Sequence, residues 1–288
     1  MKTRDKEEIR QAVRERYGKV ARAGTITSAT GSGSPCCGEL GVADGTDPLI
    51  SCGCGQTGIS LERMSEAIGY SNEDIANVPE GANMGLGCGN PVAIASLKPG
   101  ETVVDLGSGG GFDCFLAAEQ VGKTGHVIGV DMTPDMISKA RKNAEEMDEL
   151  NVEFRLGEIE NLPVGDNTAD IIMSNCVINL SPAKGRVYRE SLRVLKPGGR
   201  LAISDIVATA QLPDKIRNDL ELVGACVGGA ATIEDTKASL KEAGFQDIKI
   251  VPKENSRELL KAWDPGKTKN ASDYVVSAYI EARKPSSS

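Results

Sequence analysis

Residues 103–112 read Val-Val-Asp-Leu-Gly-Ser-Gly-Gly-Gly-Phe and decide the fold of this chain. The apolar start of the stretch predicts a buried β-strand over 102–106, and the residues after it predict a helix over 113–121. The glycines in between let the backbone turn tightly and approach a ligand closely. A strand, a glycine loop and a helix in this order predict the first unit of an α/β fold that binds a nucleotide-like molecule.

The spacing of the acid and the glycines indicates which ligand the loop binds. The dinucleotide fingerprint G-x-G-x-x-G requires a third glycine at position 112, where the chain has Phe112. The chain instead reads Asp-x-Gly-x-Gly-x-Gly, with Asp105 two residues before Gly107. A carboxylate at this place suits a ligand that carries an ammonium group rather than a pyrophosphate. S-adenosylmethionine has an aminoacyl tail and a sulfonium, so we predict that it is the cofactor.

Two later strand ends supply further predicted contacts to the cofactor. Asp131 lies about twenty residues after the last glycine, at the end of a predicted strand, where a carboxylate can accept hydrogen bonds from both ribose hydroxyls. Residues 157–159 follow the next strand and are placed to contact the adenine edge. A purely structural glycine turn is the alternative, but the strand, the loop, the helix and Asp131 in register favour binding. The predicted cofactor-binding residues are Asp105, Gly107, Ser108, Gly109, Gly111, Asp131, Met132, Glu158 and Ile159.

Predicted strands and helices alternate from residue 91 onward, which is typical of a doubly wound, Rossmann-like α/β fold with right-handed crossovers. A mostly helical insertion is predicted at 206–244, before the last two strands. The predicted strands are 102–106, 126–131, 152–156, 170–174, 200–205, 246–251 and 274–282, and the predicted helices of the core are 91–97, 113–121, 134–147 and 183–195.

The chain divides into three predicted parts. Residues 1–80 form a helical, cysteine-containing lid segment, with apolar residues at helical spacing over 6–22 and a short helix over 60–68. Residues 81–206 form the core that binds S-adenosylmethionine. Residues 207–288 contain the insertion, which we assign to the substrate site, and the final two strands. Residues 69–90 look irregular.

Composition excludes several other classes of protein. The net charge of the 288-residue chain is −8, and no dense basic run is present, which argues against a nucleic-acid partner. Residues 1–8 contain no apolar run and so do not resemble a secretory signal, and no stretch approaches the ~20 apolar residues of a membrane span. We therefore expect a cytoplasmic protein with no membrane partner. A reducing compartment keeps thiols free unless they bind metal or carry out redox chemistry.

The eight cysteines do not have the spacing of a zinc knuckle, because no pair reads C-x-x-C. Cys52 and Cys54, with one of the N-terminal cysteines, could form only an irregular zinc site. A lone cysteine is by default a small buried hydrophobe, and Cys114, which follows the glycine loop on a helix, fits that default. The cysteines stand at positions 36, 37, 52, 54, 88, 114, 176 and 226.

Three cysteines can converge on the predicted reaction chamber. Cys176 comes directly after the fourth strand of the core, and ligands of open α/β sheets bind outside such strand ends. Cys88 precedes the first core helix and Cys226 lies in the insertion, both next to glycines that permit close packing. Thiolates prefer soft ions. We therefore predict a soft-ion site made by these three cysteines, with lowered thiol pKa values.

Three segments resemble arsenite methyltransferases, a family within the class I S-adenosylmethionine-dependent methyltransferases. The likeness extends from about residue 70 to residue 252 and touches Cys36 and Cys37. The segments are Gly87-Cys88-Gly89-Asn90-Pro91, Ser174-Asn175-Cys176-Val177-Ile178-Asn179-Leu180, and Gly224-x-Cys226-x-Gly228-Gly229-Ala230.

The resemblance implies methyl transfer from S-adenosylmethionine to trivalent arsenic, in arsenic detoxification. It implies that Cys88, Cys176 and Cys226 are the arsenic-binding thiolates and that Cys36 and Cys37 contribute to the reaction cycle. The implied partners are arsenite or its thiol conjugates, and thioredoxin or glutathione as the external thiol reductant. Because the nucleophile is the lone pair of arsenic, the reaction needs no general base.

Two other functions fit parts of the pattern. A methyltransferase acting on carbon or oxygen of a small molecule, such as a quinone or a sterol, would have the same core but would tolerate loss of the three cysteines. A non-catalytic protein that binds soft metals would keep the cysteines but would not need Asp105, the glycine loop and Asp131, all of which are present.

Overall fold

Seven strands of the described residues form one sheet, in a computed structural model that describes residues 5–23, 61–147, 151–253, 256 and 271–286. Cys36, Cys37, Cys52 and Cys54 lie outside these ranges, and so do the predictions made for them. The strands are β1 Thr102–Leu106, β2 His126–Asp131, β3 Val152–Leu156, β4 Ala169–Asn175, β5 Leu195–Ala208, β6 Gln246–Pro252 and β7 Val275–Arg283.

The strand order is β3-β2-β1-β4-β5-β7-β6. Strands β1 to β5 pair in parallel, which confirms the predicted α/β class. β1 reads TVVDL and is buried at four of its five positions, because a parallel strand covered by helices on both faces needs apolar side chains on both. β7 lies antiparallel between β5 and β6, an arrangement that the sequence did not predict.

The helices of the described residues match the predictions closely over the core. α6 begins and ends where predicted, and α5 begins one residue earlier. The bounds are α1 Lys6–Ala23, α2 Leu61–Ile68, α3 Asn72–Ala76, α4 Pro91–Ala95, α5 Phe112–Val121, α6 Pro134–Met147, α7 Lys184–Val194, α8 Asp214–Arg217, α9 Leu220–Gly224 and α10 Ile233–Ala243. Among the described helices, none has the length and apolar character needed to cross a bilayer.

Two details of the predicted organisation need correction. The region 69–90, expected to be irregular, contains α3, whose start is fixed by a capping box between Ser71 and Asp74. β5 is longer than predicted and runs past residue 206 to Ala208, since its second half pairs with β7 up to Val275. The last two strands therefore complete the core sheet, and the insertion supplies helices at its edge and above its carboxyl end.

α1 lies across that end of the sheet. It packs against α6, α9 and the short 3-10 turn Ile178–Leu180. Its side chains at Val13 and Ala21 are buried, so the helical spacing predicted over 6–22 marks a face that points into the molecule.

Candidate functional site

The carboxyl ends of the central strands open on a cavity of about 550 Å³. This volume lies within the range of small-molecule sites in proteins. The walls come from the glycine loop after β1, from Asp131 and Met132 after β2, from residues 175–177 after β4, and from α1 and residues 224–226 of the insertion. The location is the one expected for a ligand of an open α/β sheet.

The glycine loop has the geometry predicted from its sequence. Gly107 and Gly109 have φ angles of 73° and 52°, in the left-handed region that favours glycine. A Cβ on Gly107 would collide with the side chain of Val177. The hydroxyl of Ser108 lines the cavity and is buried, yet it has no hydrogen-bond partner among the described residues. A buried polar atom of this kind indicates a ligand that completes its hydrogen bonding.

Gly111 has a different role from the one predicted. It is the N-cap of α5 with a φ of 96°, and it is not part of the cavity wall. A Cβ there would lie 2.7 Å from the ring of Phe115. Its lack of a side chain therefore serves packing of the helix.

Asp131 is held by the loop that it was predicted to complement. Its two carboxylate oxygens accept hydrogen bonds from the backbone N–H of Gly109, at 3.1 Å, and of Thr133, at 2.8 Å. Burial raises the pKa of Asp131, and these backbone bonds act in the opposite direction. The carboxylate lines the cavity, together with Met132.

Of the two residues predicted to contact the adenine edge, one lines the cavity and the other does not. Ile159 is buried and lines the cavity. Glu158 is not part of the wall, and its carboxylate pairs with Arg10 Nε at 3.6 Å and Arg14 Nη2 at 3.5 Å. Glu160, two residues later, lines the cavity instead.

Two buried carboxylates, Asp105 and Asp113, face the cavity near the glycine loop. Burial raises the pKa of Asp105 well above its ordinary value, and the nearby Asp113 raises it further. Burial also raises the pKa of Asp113 to about 6, although hydrogen bonds from the Tyr70 hydroxyl, at 2.6 Å, and Asn175 Nδ2, at 3.2 Å, favour its charged form. A nearby cation stabilises the ionised forms of two neighbouring buried carboxyls, and the ammonium of the predicted cofactor is such a cation.

Cys114 is fully buried, as predicted for a small core residue. Its thiol donates a hydrogen bond of 3.3 Å to Asp105. The thiol therefore bonds the carboxylate from within the core and is not part of the cavity wall.

The three predicted cysteines of the soft-ion site lie together. Cys88 and Cys176 form a disulfide, and Cys226 Sγ donates a hydrogen bond of 2.6 Å to the carbonyl oxygen of Cys176. Cys176 and Cys226 line the cavity, and Cys88 is buried beside Cys176. The disulfide withholds two sulfurs from any ion, so binding by all three thiolates requires its reduction.

Backbone strain marks the same place. Cys176 and Cys226 have φ angles of 56° and 64°, in the left-handed region that side chains with a Cβ rarely adopt. Such strain persists only where the surrounding structure imposes it, and it is frequent at functional sites. Both cysteines are thereby turned toward the cavity.

The expected lowering of thiol pKa values is wrong for Cys226. Burial raises the pKa of its thiol, and the charge of Asp205 raises it further, while a hydrogen bond from Tyr17 lowers it. The sulfur atoms of Cys88 and Cys176 and a carboxylate oxygen of Asp205 lie within 4.8 Å of one another. The prediction failed for Cys226 because burial and Asp205 outweigh the opposing effects of Tyr17, Arg16 and Lys184 on its thiol pKa.

Several residues of the site escaped the sequence reasoning. From α1, Arg10, Val13, Arg16 and Tyr17 line the cavity, and Arg10 Nε is buried with no hydrogen-bond partner among the described residues. The helical spacing of α1 was a signal for a helix but not for the face against which it packs. α1 belongs to the predicted lid segment over residues 1–80 and contributes to the cavity wall, and the lid role of that segment stays a prediction.

Asn175 precedes Cys176 in the sequence, and in the structure its side chain connects the two halves of the site. Its Nδ2 donates to the carbonyl oxygen of Gly89, at 2.7 Å, and to Asp113, and its Oδ1 accepts from the backbone N–H of Cys88, at 3.0 Å. One side chain thus contacts both the acidic pair and the segment that carries Cys88.

Comparison with known proteins assigns the family. A family model described as a methyltransferase domain matches residues 97–244. An arsenite methyltransferase of Halobacterium salinarum is 52% identical over 282 residues, which cover 98% of this chain and 68% of the relative. One from Aquipseudomonas alcaligenes is 43% identical over 60% of this chain, and the chain spans 51% of that relative.

A solved structure shows the same relationship. The arsenic(III) S-adenosylmethionine methyltransferase of Chlamydomonas reinhardtii superposes with a TM-score of 0.56 at 32% identity, covering 80% of this chain and 74% of that one. Sequence similarity, the sheet order and the cavity agree with one another. The chain belongs to the arsenite methyltransferase family, whose members depend on S-adenosylmethionine.

Proposed function

We propose that this chain transfers methyl groups from S-adenosylmethionine to trivalent arsenic bound by the thiolates of Cys88, Cys176 and Cys226. The observation that carries the proposal is the convergence of these three cysteines: Cys176 and Cys226 line the same cavity as the glycine loop, and Cys88 is bonded to Cys176. The relatives that are named arsenite methyltransferases support it. The substrate is arsenite or one of its thiol conjugates.

The residues of the cavity fit the methyl donor. The unpartnered Ser108 hydroxyl, the left-handed glycines 107 and 109, and the carboxylates of Asp105, Asp113 and Asp131 surround one space. Asp131 would hold the ribose, and the acidic pair would hold the ammonium. When bound, S-adenosylmethionine supplies an electrophilic methyl group on its sulfonium.

The chemistry of arsenic explains the rest of the site. Three thiolates hold a trivalent arsenic atom as a pyramid whose apex carries the lone pair, and soft sulfur donors suit a soft acceptor. Attack of that lone pair on the methyl carbon breaks the carbon–sulfonium bond in one in-line displacement. The protein contributes chiefly proximity and orientation, which supply up to ~7–11 kcal/mol in favourable cases. No side chain needs to accept a proton in this step.

Methyl transfer oxidises arsenic formally from the trivalent to the pentavalent state, so two electrons must return it. We propose that a disulfide between Cys88 and either Cys36 or Cys37 forms once per turnover and supplies them. Thioredoxin or glutathione then reopens it as the external reductant. The observed pairing of Cys88 with Cys176 must be reduced before the cycle begins.

The first test replaces Cys88, Cys176 and Cys226 with serine, one at a time. Each variant should bind S-adenosylmethionine as the wild type does but lose arsenite-dependent release of S-adenosylhomocysteine. Cofactor affinity from calorimetry serves as the control for folding. Normal arsenite methylation in all three variants contradicts the proposal and favours a small-molecule methyltransferase.

The second test follows one turnover without added reductant. Free thiols are blocked after product has formed, and disulfides are mapped by mass spectrometry. If Cys36, Cys37 and Cys88 all remain free to react, the proposed disulfide does not form. Full multiple-turnover activity of a Cys36→Ser, Cys37→Ser double variant leads to the same conclusion.

A further inference from the structure

α1 makes a specific contact with the turn that carries Cys226. The hydroxyl of Tyr17 donates a hydrogen bond of 3.2 Å to the carbonyl oxygen of Gly224. Gly224 itself leaves no room for a side chain, since a Cβ there would lie 2.8 Å from Arg16 Cδ. Tyr17 also packs against the apolar cluster that contains Cys88, Cys176 and Cys226. The tyrosine therefore contacts the backbone of this turn and the apolar cluster around the proposed arsenic site.

The turn over residues 224–226 needs support from other parts of the chain. Cys226 has a φ of 64°, a conformation disfavoured for a residue with a Cβ. In the described residues, side-chain hydrogen bonds reach this turn in two ways: Cys226 Sγ donates to the carbonyl oxygen of Cys176, and the Tyr17 hydroxyl bonds both the carbonyl oxygen of Gly224 and the Cys226 thiol.

Arsenic binding removes the bond that Cys226 Sγ donates to Cys176. Each thiol that binds arsenite gives its proton to an arsenic-bound hydroxide, which leaves as water while an arsenic–sulfur bond replaces an arsenic–oxygen bond, with no change in oxidation state. The Cys226 sulfur then has no proton left to donate to Cys176. The bond from Tyr17 to Gly224 remains, because it does not involve the sulfur.

We infer that Tyr17 is a positioning residue that holds the 224–226 turn, so that the Cys226 sulfur stays directed at arsenic once it has lost its proton. The inference rests on the proposed function, and it gives the N-terminal helix a role in acceptor binding. Tyr17 touches neither of the reacting atoms and acts through Cys226.

The test measures arsenite affinity of Tyr17→Phe by calorimetry, after reduction with a phosphine that does not compete as a thiol. A net hydrogen bond of ordinary strength corresponds to about a fivefold change, so we expect arsenite to bind about threefold to tenfold more weakly. Affinity for S-adenosylmethionine should fall by less than affinity for arsenite, because the lost hydrogen bond holds the turn of Cys226. Tyr188→Phe is the matched control, since it removes a buried phenolic hydroxyl on α7 that lies outside the cavity wall.

A double-mutant cycle separates positioning from a general effect on folding. Phenylarsine oxide needs only two thiolates, so it can be held by Cys226 and one other cysteine in the wild-type chain and by Cys88 and Cys176 in a chain that lacks Cys226. Tyr17→Phe should weaken its binding to the wild-type chain but have no effect in a Cys226→Ser background. An effect that persists in that background, or an equal loss of affinity for S-adenosylmethionine, overturns the inference.

The outcomes also separate this inference from the proposed function. If the wild-type chain binds arsenite and Tyr17→Phe binds it equally well, the inference is wrong and the function stands. If the wild-type chain binds no trivalent arsenical after reduction, the proposed function is wrong and the inference falls with it.

Discussion

Asp113 should make binding of S-adenosylmethionine depend on pH. Its carboxyl is buried beside Asp105, and its pKa is raised to about 6. A carboxyl with that pKa is about one-tenth ionised at pH 5 and about nine-tenths ionised at pH 7. The α-amino group of the ligand stays largely protonated over this range. A cationic ligand that needs the ionised carboxylate should therefore bind about tenfold more weakly at pH 5 than at pH 7.

Asp113→Asn tests this reasoning. The variant should bind S-adenosylmethionine more weakly than the wild type at pH 7, with a flatter dependence on pH, in calorimetry at pH 5, 6 and 7. S-adenosylhomocysteine is the control ligand, since it keeps the ammonium but lacks the sulfonium, and it should show the same dependence. Equal affinity of wild type and variant at pH 7, or an unchanged slope, refutes the assignment of the acidic pair to the ammonium.

The same substitution should raise the free energy of unfolding of the ligand-free protein, although it weakens cofactor binding. Because Asp113 binds its proton more tightly in the folded chain than in the unfolded chain, the free energy of unfolding falls as pH rises through the window up to about 6. Above that window, the raised pKa of Asp113 lowers the free energy of unfolding by about 3 kcal/mol. An amide avoids this cost but loses about 1 kcal/mol of hydrogen bonding to Asn175. Denaturant unfolding at pH 7 should therefore find Asp113→Asn more stable, and a less stable variant would contradict the reasoning.

Three further substitutions test the cofactor site. Gly109→Val places a β-branched side chain on a backbone with φ 52° where the ligand must approach, so calorimetry should detect no binding of S-adenosylmethionine, and wild-type affinity would contradict the site. Asp131→Ala removes the predicted ribose contact, so affinity should fall by the ~1.5–3 kcal/mol of a charged hydrogen bond. Gly107→Ala should collide with Val177, and its thermal unfolding temperature should fall; an unchanged temperature would show that the loop can adjust.

The predicted elements agree best where a strand is buried on both faces. β1, β2 and β3 begin and end as predicted, because a parallel strand between two helix layers reads as a continuous apolar run. β5 was predicted too short, because Pro197, Gly198 and Gly199 are typical of a loop, although the strand of the folded chain includes them. The antiparallel direction of β7 depends on how the end of the chain returns to the sheet, which local patterns do not encode.

The residues of the candidate site also differ in how well the sequence predicts their positions. The glycine loop, Asp131 and the three cysteines could be found in the sequence, because their residue types are tied to one backbone geometry or one kind of ligand. Glu158 was misplaced relative to Glu160, since a single strand end does not specify which of two nearby acids turns inward.

The sequence by itself determined the class of fold and the kind of cofactor, and it pointed to the three cysteines that we propose as donors to the acceptor. Glycine spacing and apolar periodicity act within a few residues, so these features can be read locally. Only the tertiary structure decided that Cys88 and Cys176 meet, although 88 positions separate them, and that the Tyr17 hydroxyl bonds the carbonyl oxygen of Gly224. Such contacts depend on which apolar faces bury one another, and many distant pairings satisfy the same local pattern until the whole core is packed.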